Sequence, residues 1–337
     1  MQLKPIQDQV VAVVGSSSGI GRQTALQFAK KGAKVIVSGR SEAKLVSLVN
    51  EIRSFQGEVT SVIADVAEFD QVKAIADTAV DVYGRLDTWV HAPATVVFAL
   101  FEDTKPEEFK RVIEVSLLGQ VYGAMAALPY LKREGRGALI HLSSIAGIRS
   151  LPLQSSYCSA KHGIEGFLES LRVELQHEGI PISVTSIRPA VVNTPFWDNA
   201  LTRIGVQPAG IPPYYDPRLV VDAILYTATH PTRDFFVGDS ARLFDFLQKL
   251  SPSLVDALLV QIGFPLQRTD TPKSEHDPHN LYEPVLTDTR IDGDFSKMVV
   301  PSILDWVDKN PVLKWGAIAG VAVALAVTQA MRKEEHL

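Results

Sequence analysis

Through residues 1–250 the chain repeats one alternation, in which a short apolar run rich in β-branched residues is followed by a longer segment of helical period. The runs fall near residues 10–14, 34–38, 59–63, 88–91, 138–142, 183–187 and 234–237. The helical segments fall near 20–31, 42–55, 69–83, 107–133, 155–178 and 218–229. A run such as Val10-Val11-Ala12-Val13-Val14 has no polar face, so it must be covered on both sides. Strands of that kind alternating with helices predict an α/β fold, a doubly wound parallel sheet of about seven strands. Composition agrees: 46% hydrophobic and 21% charged residues can fill a large core, and a net charge of -5 without a long basic run excludes a nucleic-acid binder. Cys158 is the single cysteine, so no internal disulfide or multi-thiolate metal site contributes.

Residues 190–217 interrupt the alternation with Pro195, Pro208, Pro212 and Pro213. A loop of that length after a strand's carboxyl end predicts a substrate-binding element. Residues 251–312 read as a C-terminal extension, in which 267–290 is polar, proline-punctuated and expected to lie extended on the surface without a core of its own. Residues 315–331 carry no charge and are flanked by Lys314, Arg332 and Lys333. As a helix they reach about 25 Å, slightly short of a hydrocarbon core of about 30 Å. The expectation is a membrane anchor, with a buried or self-associating helix as the alternative and Gly316-x-x-x-Gly320 as a close-packing face for a homo-oligomer. Residues 1–9 lead into a strand and not a signal peptide, which places the preceding domain in the cytoplasm.

Gly15-Ser16-Ser17-Ser18-Gly19-Ile20-Gly21 joins the first strand to the first helix. There a dinucleotide pyrophosphate needs close backbone approach and free helix-terminal amides. Ser16 and Ser18 offer hydroxyls to phosphate. At the end of the second strand, where an NAD enzyme places a carboxylate for the ribose 2′-hydroxyl, the chain has Arg40. A guanidinium suits the 2′-phosphate of NADP; the alternative is a solvated charge. Asp65, ending the third strand, can accept a hydrogen bond from an adenine amino group or simply start the next helix.

Tyr157 and Lys161 stand one helical turn apart, so the ammonium is within reach of the phenol. A nearby cation stabilises phenolate and lowers its pKa from about 10, fitting it for proton exchange with an alcohol or carbonyl oxygen. Ser144, after the strand at 138–142, is placed to hold the same oxygen. His276-Asp277-Pro278-His279 lies in a polar loop without further ligands, and no metal is assigned. His91 and His141 are expected to fill polar niches in buried strands. Tyr214 and Tyr215 are read either as loop packing or as a cover for the site.

With these motifs in order, residues 8–240 resemble the short-chain dehydrogenases/reductases. The resemblance rests on Gly15-x-x-x-Gly19-Ile20-Gly21, Asp65-Val66, Ser144 and Tyr157-Cys158-Ser159-Ala160-Lys161. It implies that residues 1–250 form an NADP-binding catalytic domain. It also implies that Tyr157 is the acid/base, that Lys161 binds the nicotinamide ribose and lowers the tyrosine pKa, and that Ser144 positions the substrate carbonyl. Asp65 would meet adenine, and Thr194 looks like the threonine beside the nicotinamide carboxamide. The chain departs from the family pattern at His91-Ala92-Pro93-Ala94, where an Asn-Asn-Ala-Gly is usual, and at Ser116, which aligns with an asparagine of the proton relay. Pro189-Ala190 and Val14 also differ. The expected activity is NADPH-dependent interconversion of a carbonyl and a secondary alcohol on a small, hydrophobic substrate. The competing reading is a dinucleotide-binding scaffold or redox sensor without turnover.

Overall fold

Strand β1, Val10–Val14, is buried along its whole length, with Val11 and Val13 facing one hydrophobic core and Val10, Ala12 and Val14 the other. Period-two side-chain direction thus divides one apolar run between two cores. This computed structural model describes residues 1–286 and 289–308. Around β1 lie β2 (Lys34–Gly39), β3 (Val59–Ile63), β4 (Thr88–His91), β5 (Gly137–Leu142), β6 (Ile182–Pro189) and β7 (Asp234–Val237). The sheet order is β7-β6-β5-β4-β1-β2-β3, with every pairing parallel. Strand order reverses between β1 and β4, which opens a crevice beyond their carboxyl ends.

The covering helices are α1 (Gly19–Lys30), α2 (Glu42–Ser54), α3 (Phe69–Tyr83), α4 (Pro106–Ile113), α5 (Gly119–Arg133), α6 (Ser155–His177) and α7 (Pro217–Thr227). One core packs α1, α2 and α7 on the sheet, and the other packs α3, α5 and α6 on its opposite face. Asp216 starts α7 by accepting the Arg218 amide at 2.7 Å, ahead of Pro217 in the first turn. The segment expected as one helix at 107–133 is instead α4 and α5 joined by a π-helical turn, Glu114–Leu118. There the Ser116 hydroxyl accepts from the Thr95 amide at 3.0 Å and donates to the Thr95 carbonyl at 3.1 Å. Among the described residues, α4, the π-helical turn and α5 together, Pro106–Arg133, make a helical stretch long and apolar enough to cross a membrane. Half of its most apolar window is buried within the fold, which accounts for its composition. The tail at 315–331 lies outside the described residues.

At the start of His91-Ala92-Pro93-Ala94, the ends of the central strands are tied together by side chains of β4, β5 and α5. His91 and His141 are register partners on β4 and β5, fully buried, with rings 6.0 Å apart. Gln120 of α5 donates to the carbonyls of His91 and Leu142, both at 3.4 Å, and accepts from His141 Nδ1 at 2.7 Å. Trp89 Nε1 donates to His91 Nδ1 at 3.3 Å. Burial pushes the His141 pKa down to about 3 and holds His91 well below the usual histidine range, so both rings are neutral at pH 7. Below about pH 6.5 the unfolded chain binds protons that these native rings refuse, so stability is full above that value and is lost as pH falls. His141 alone should remove about 2 kcal/mol between pH 7 and about pH 5. Urea unfolding at both pH values checks the loss, and unchanged His141 ring resonances over that range assign it; a ring that titrates near pH 6 would refute it.

The C-terminal extension departs from the expected surface segment. After α8 (Asp239–Leu250) and α9 (Pro252–Ile262), residues Arg268–Pro272 pair antiparallel with Val206–Pro208. Leu281 is fully buried, Phe295 stacks on Tyr214 at 4.5 Å, and Asp305 accepts from the Gly238 amide at 2.9 Å and from Arg242 at 2.7 Å. Val255 and Leu259 of α9 form a small core with Ile211, against which Phe244 and Leu247 of α8 pack, while Leu281 and Phe295 join the core beneath the substrate loop.

Candidate active site

The crevice beyond β1 and β4 contains a cavity of about 280 Å³ that runs from Arg40 past the glycine turn to Tyr157. Its floor needs glycine. Gly15 has φ +79°, and a Cβ there would lie 2.8 Å from Pro93, while a Cβ on Gly21 would be driven into the Gly15 carbonyl. Gly15, Ser18, Gly19, Ile20 and Gly21 all line the cavity at the start of α1. Ser16 does not. Its hydroxyl is fully buried, 3.1 Å from the carbonyls of Val13 and Ser38, and accepts the Ser38 amide at 2.9 Å. It therefore ties β1 to β2, and Ser17, not singled out from sequence, lines the cleft in its place.

Arg40 lines the cavity with Ser41 and Lys44, but its guanidinium already donates to the carbonyls of Asn280 and Tyr282, both at 2.6 Å. Burial lowers its pKa, and the negative charges of Asp65 and Glu283 act against that fall. Asp65 also lines the cavity, beside Val66. One carboxylate oxygen accepts from Arg111 at 2.5 Å and the other from the Ala67 amide at 3.0 Å, so it shapes the turn ahead of α3, whose N-cap is Glu68 and not Asp65.

At the other end, α6 presents Tyr157 and Lys161 to the cavity, and Ser144, just after β5, faces the same space. Lys161 is fully buried, with Nζ 5.4 Å from the Tyr157 ring centre and donating to the Leu142 carbonyl at 2.7 Å. Burial pushes the lysine down to about 7, opposed by the negative charge of Glu165. The tyrosine moves opposite to the expectation. Burial raises its pKa, and only the hydrogen bond with Ser144 pulls downward. The cost of burying a phenolate exceeds what that one hydrogen bond returns. Thr194 lines the cavity beside Gly19, whereas Ser116 is not among its lining residues because its hydroxyl is spent on Thr95.

Glu165 was not singled out from the sequence. It lies one turn beyond Lys161 on α6, buried, accepting from Arg188 at 2.5 Å and Ser186 at 2.7 Å. The same four-residue spacing that pairs Tyr157 with Lys161 continues to it. The substrate loop contributes Val191, Phe196 and Trp197 to the cavity, with Phe196 ring-packed on Tyr157 at 5.5 Å. Tyr214 and Tyr215 are buried behind this wall, accepting the amides of Gly210 at 2.7 Å and Ser240 at 3.0 Å, so they pack the loop. Cys158 is buried too, its thiol pushed up to about 11.

Comparison with known proteins places this geometry. The family model for the short chain dehydrogenases matches residues 9–204. The uncharacterized oxidoreductase YxnA of Bacillus subtilis is 38% identical over 285 residues, covering 84% of this chain and 80% of the relative. The 3-oxoacyl-[acyl-carrier-protein] reductase FabG of Thermotoga maritima is 31% identical over 232 residues, covering 66% of this chain and 92% of the relative. A short-chain dehydrogenase/reductase from Burkholderia phymatum in complex with NAD superposes with a TM-score of 0.67 at 20% identity, over 75% of this chain and 97% of its own. An alcohol dehydrogenase from Thermococcus sibiricus complexed with 5-hydroxy-NADP gives 0.60 at 24% identity, over 68% and 95%. At those identities the two structures speak for the fold alone.

Proposed function

The chain belongs to the short-chain dehydrogenase family, and from that premise we propose that it is an NADPH-preferring oxidoreductase interconverting a carbonyl and a secondary alcohol. One observation carries the reading: Ser144, Tyr157 and Lys161 face the same cavity as the glycine turn that can receive a dinucleotide. Gly15, Ser18, Gly19, Ile20, Gly21, Arg40, Asp65, Val66, Lys161 and Thr194 would hold the cofactor, which when bound supplies or takes up the hydride. The protein's own part is acid/base and electrostatic. The hydroxyls of Ser144 and Tyr157 converge on the substrate oxygen; Tyr157 donates its proton in reduction and accepts one in oxidation, with protonated Lys161 favouring the charged form of the phenol. Leu151, Val191, Phe196 and Trp197 give the substrate end an apolar wall, which supports a hydrophobic carbonyl compound. A panel of apolar ketones and aldehydes, followed by loss of NADPH absorbance, tests the reading. NADPH binding without turnover of any of them would favour the scaffold.

The preference for NADP rests on Arg40. A guanidinium carries five N–H donors, so the two bonded to Asn280 and Tyr282 leave others for a 2′-phosphate. Charge-assisted bonds of that kind contribute on the order of 1.5–3 kcal/mol each. Arg40→Ala is expected to remove most of the NADPH-over-NADH preference, read as the ratio of the two dissociation constants. A wild-type protein binding both equally would reduce Arg40 to a structural cation. For the tail at 315–331 we retain the proposal of a membrane anchor. Exposed Phe246, Leu250, Leu254 and Val260 on α8 and α9 offer apolar surface that would suit a lipid boundary. Recovery of the full-length protein wholly in the soluble fraction after an alkaline wash would end that proposal.

A further inference from the structure

Two donors of the proposed cofactor site are bonded by the same C-terminal arm, in its described stretches 279–286 and 289–295. Arg40 donates to the carbonyls of Asn280 and Tyr282, and the Gly19 amide, the first of α1, donates to the Arg290 carbonyl at 2.9 Å. Further bonds fasten the arm across the crevice. Thr95 donates to the Asn280 side chain at 2.8 Å, the Asn280 amide to the Asn199 carbonyl at 2.9 Å, and Arg111 to the Leu281 carbonyl at 3.1 Å. Gly293 lies so close to Thr194 that a Cβ would stand 2.6 Å from its carbonyl oxygen. The arm does not fill the crevice. Asn280, Pro284 and Val285 line the same cavity as Gly15, Gly21, Asp65 and Val66, so they stand as a wall over open space.

We infer that the C-terminal arm is a wall of the cofactor site, enclosing the adenosine half of the dinucleotide between Asn280, Pro284 and Val285 and the floor of glycine turn and Asp65-Val66. The inference rests on the nicotinamide-nucleotide reading given above. Pro284 and Val285 bring apolar surface to the compartment that Ala64 and Val66 also line, which suits a flat purine. The bonds from Arg40 and Gly19 hold the arm over this compartment, so their opening widens the way in and out of it for a dinucleotide. Cofactor exchange is therefore governed by the arm, and the bound cofactor should in turn hold the arm down.

Two substitutions loosen the arm without replacing a residue of the cavity lining; Gly293→Ala also presses on Thr194, so Arg290→Ala is the one that isolates the arm. Gly293→Ala inserts a methyl against the Thr194 backbone. Arg290→Ala removes exposed ion pairs to Asp198 at 3.1 Å and Asp294 at 2.6 Å, and it serves if the first variant fails to fold. Stopped-flow NADPH fluorescence on the full chain should show association and dissociation both faster, by about tenfold in Gly293→Ala and about threefold in Arg290→Ala, with smaller changes in Kd. Hydrogen exchange of amides 280–286 in the wild type should slow when NADPH is added. Rates unchanged in both variants, with exchange in the arm indifferent to NADPH, would overturn the inference. So would faster exchange in the arm on adding NADPH, which would make the arm a competitor that the cofactor displaces. A wild-type chain that binds neither NADPH nor NADH would instead refute the nucleotide reading itself.

Discussion

Tyr157→Phe should lower turnover by at least about two orders of magnitude while changing NADPH affinity by less than about twofold. The substitution keeps the ring, and with it the 5.5 Å contact to Phe196 and the position under Lys161 Nζ. Only the hydroxyl is lost, whose bond within the fold is to Ser144. Stability should therefore move by no more than about 1 kcal/mol, the usual net worth of one such bond. The raised tyrosine pKa sharpens the expectation. Protonated through neutral pH, Tyr157 is poised as the acid of carbonyl reduction, and in that direction its own ionisation should not limit the rate below about pH 10. Steady-state rates with the best carbonyl from the panel, together with fluorescence titration of NADPH, decide the matter. Activity surviving in the variant would remove the acid/base assignment.

What sequence made legible follows the physics of each element. Inner parallel strands announce themselves because both faces are covered, as in β1 and β4, while the edge strands β3 and β7, buried only in part, still stand close to their β-branched or aromatic runs. The turn at Gly15 and Gly21 is readable because only glycine fits contacts that tight. Tyr157 and Lys161 are readable because helical spacing alone brings them together. Side chains whose role depends on a distant partner were not. Ser16 sits between two cavity-lining residues, Gly15 and Ser17, yet its hydroxyl closes the ends of β1 and β2. Ser116 occupies the position of a relay residue, yet it is spent on Thr95, which the order of the chain does not reveal. Arg40 meets carbonyls from about 240 positions onward in the chain, and a polar, proline-rich segment gives no local sign that Leu281 within it is fully buried. The Tyr157 shift runs against the sequence expectation for a related reason: the spacing to Lys161 is visible in the chain, whereas the burial that raises the tyrosine pKa belongs to the assembled core.

Lys161→Met should abolish useful turnover and at the same time make the protein more stable at pH 7. The native lysine is pushed down to about 7 by burial, against 10.5 when exposed. Between those values the unfolded chain holds a proton that the folded chain gives up, so folding is penalised, and stability climbs as pH rises through that window. The full difference corresponds to about 5 kcal/mol. Methionine of similar length fills the space without a charge, but it forfeits the bond from Nζ to the Leu142 carbonyl and leaves that oxygen with the longer Gln120 contact at 3.4 Å. A net gain of about 2–4 kcal/mol remains. Urea unfolding at pH 7 should show it, and the gain should shrink as pH approaches about 10.5, where the wild-type penalty vanishes. NADPH affinity should fall together with turnover, because the lysine is proposed to touch the cofactor ribose as well as the phenol; an effect confined to turnover would mean that its cofactor role was misread. A variant that is less stable than the wild type at pH 7 would show that the ammonium is a net structural support. A variant that is more stable and inactive would mean that the fold carries this buried cation at a cost to its own stability, as sites built for chemistry commonly do.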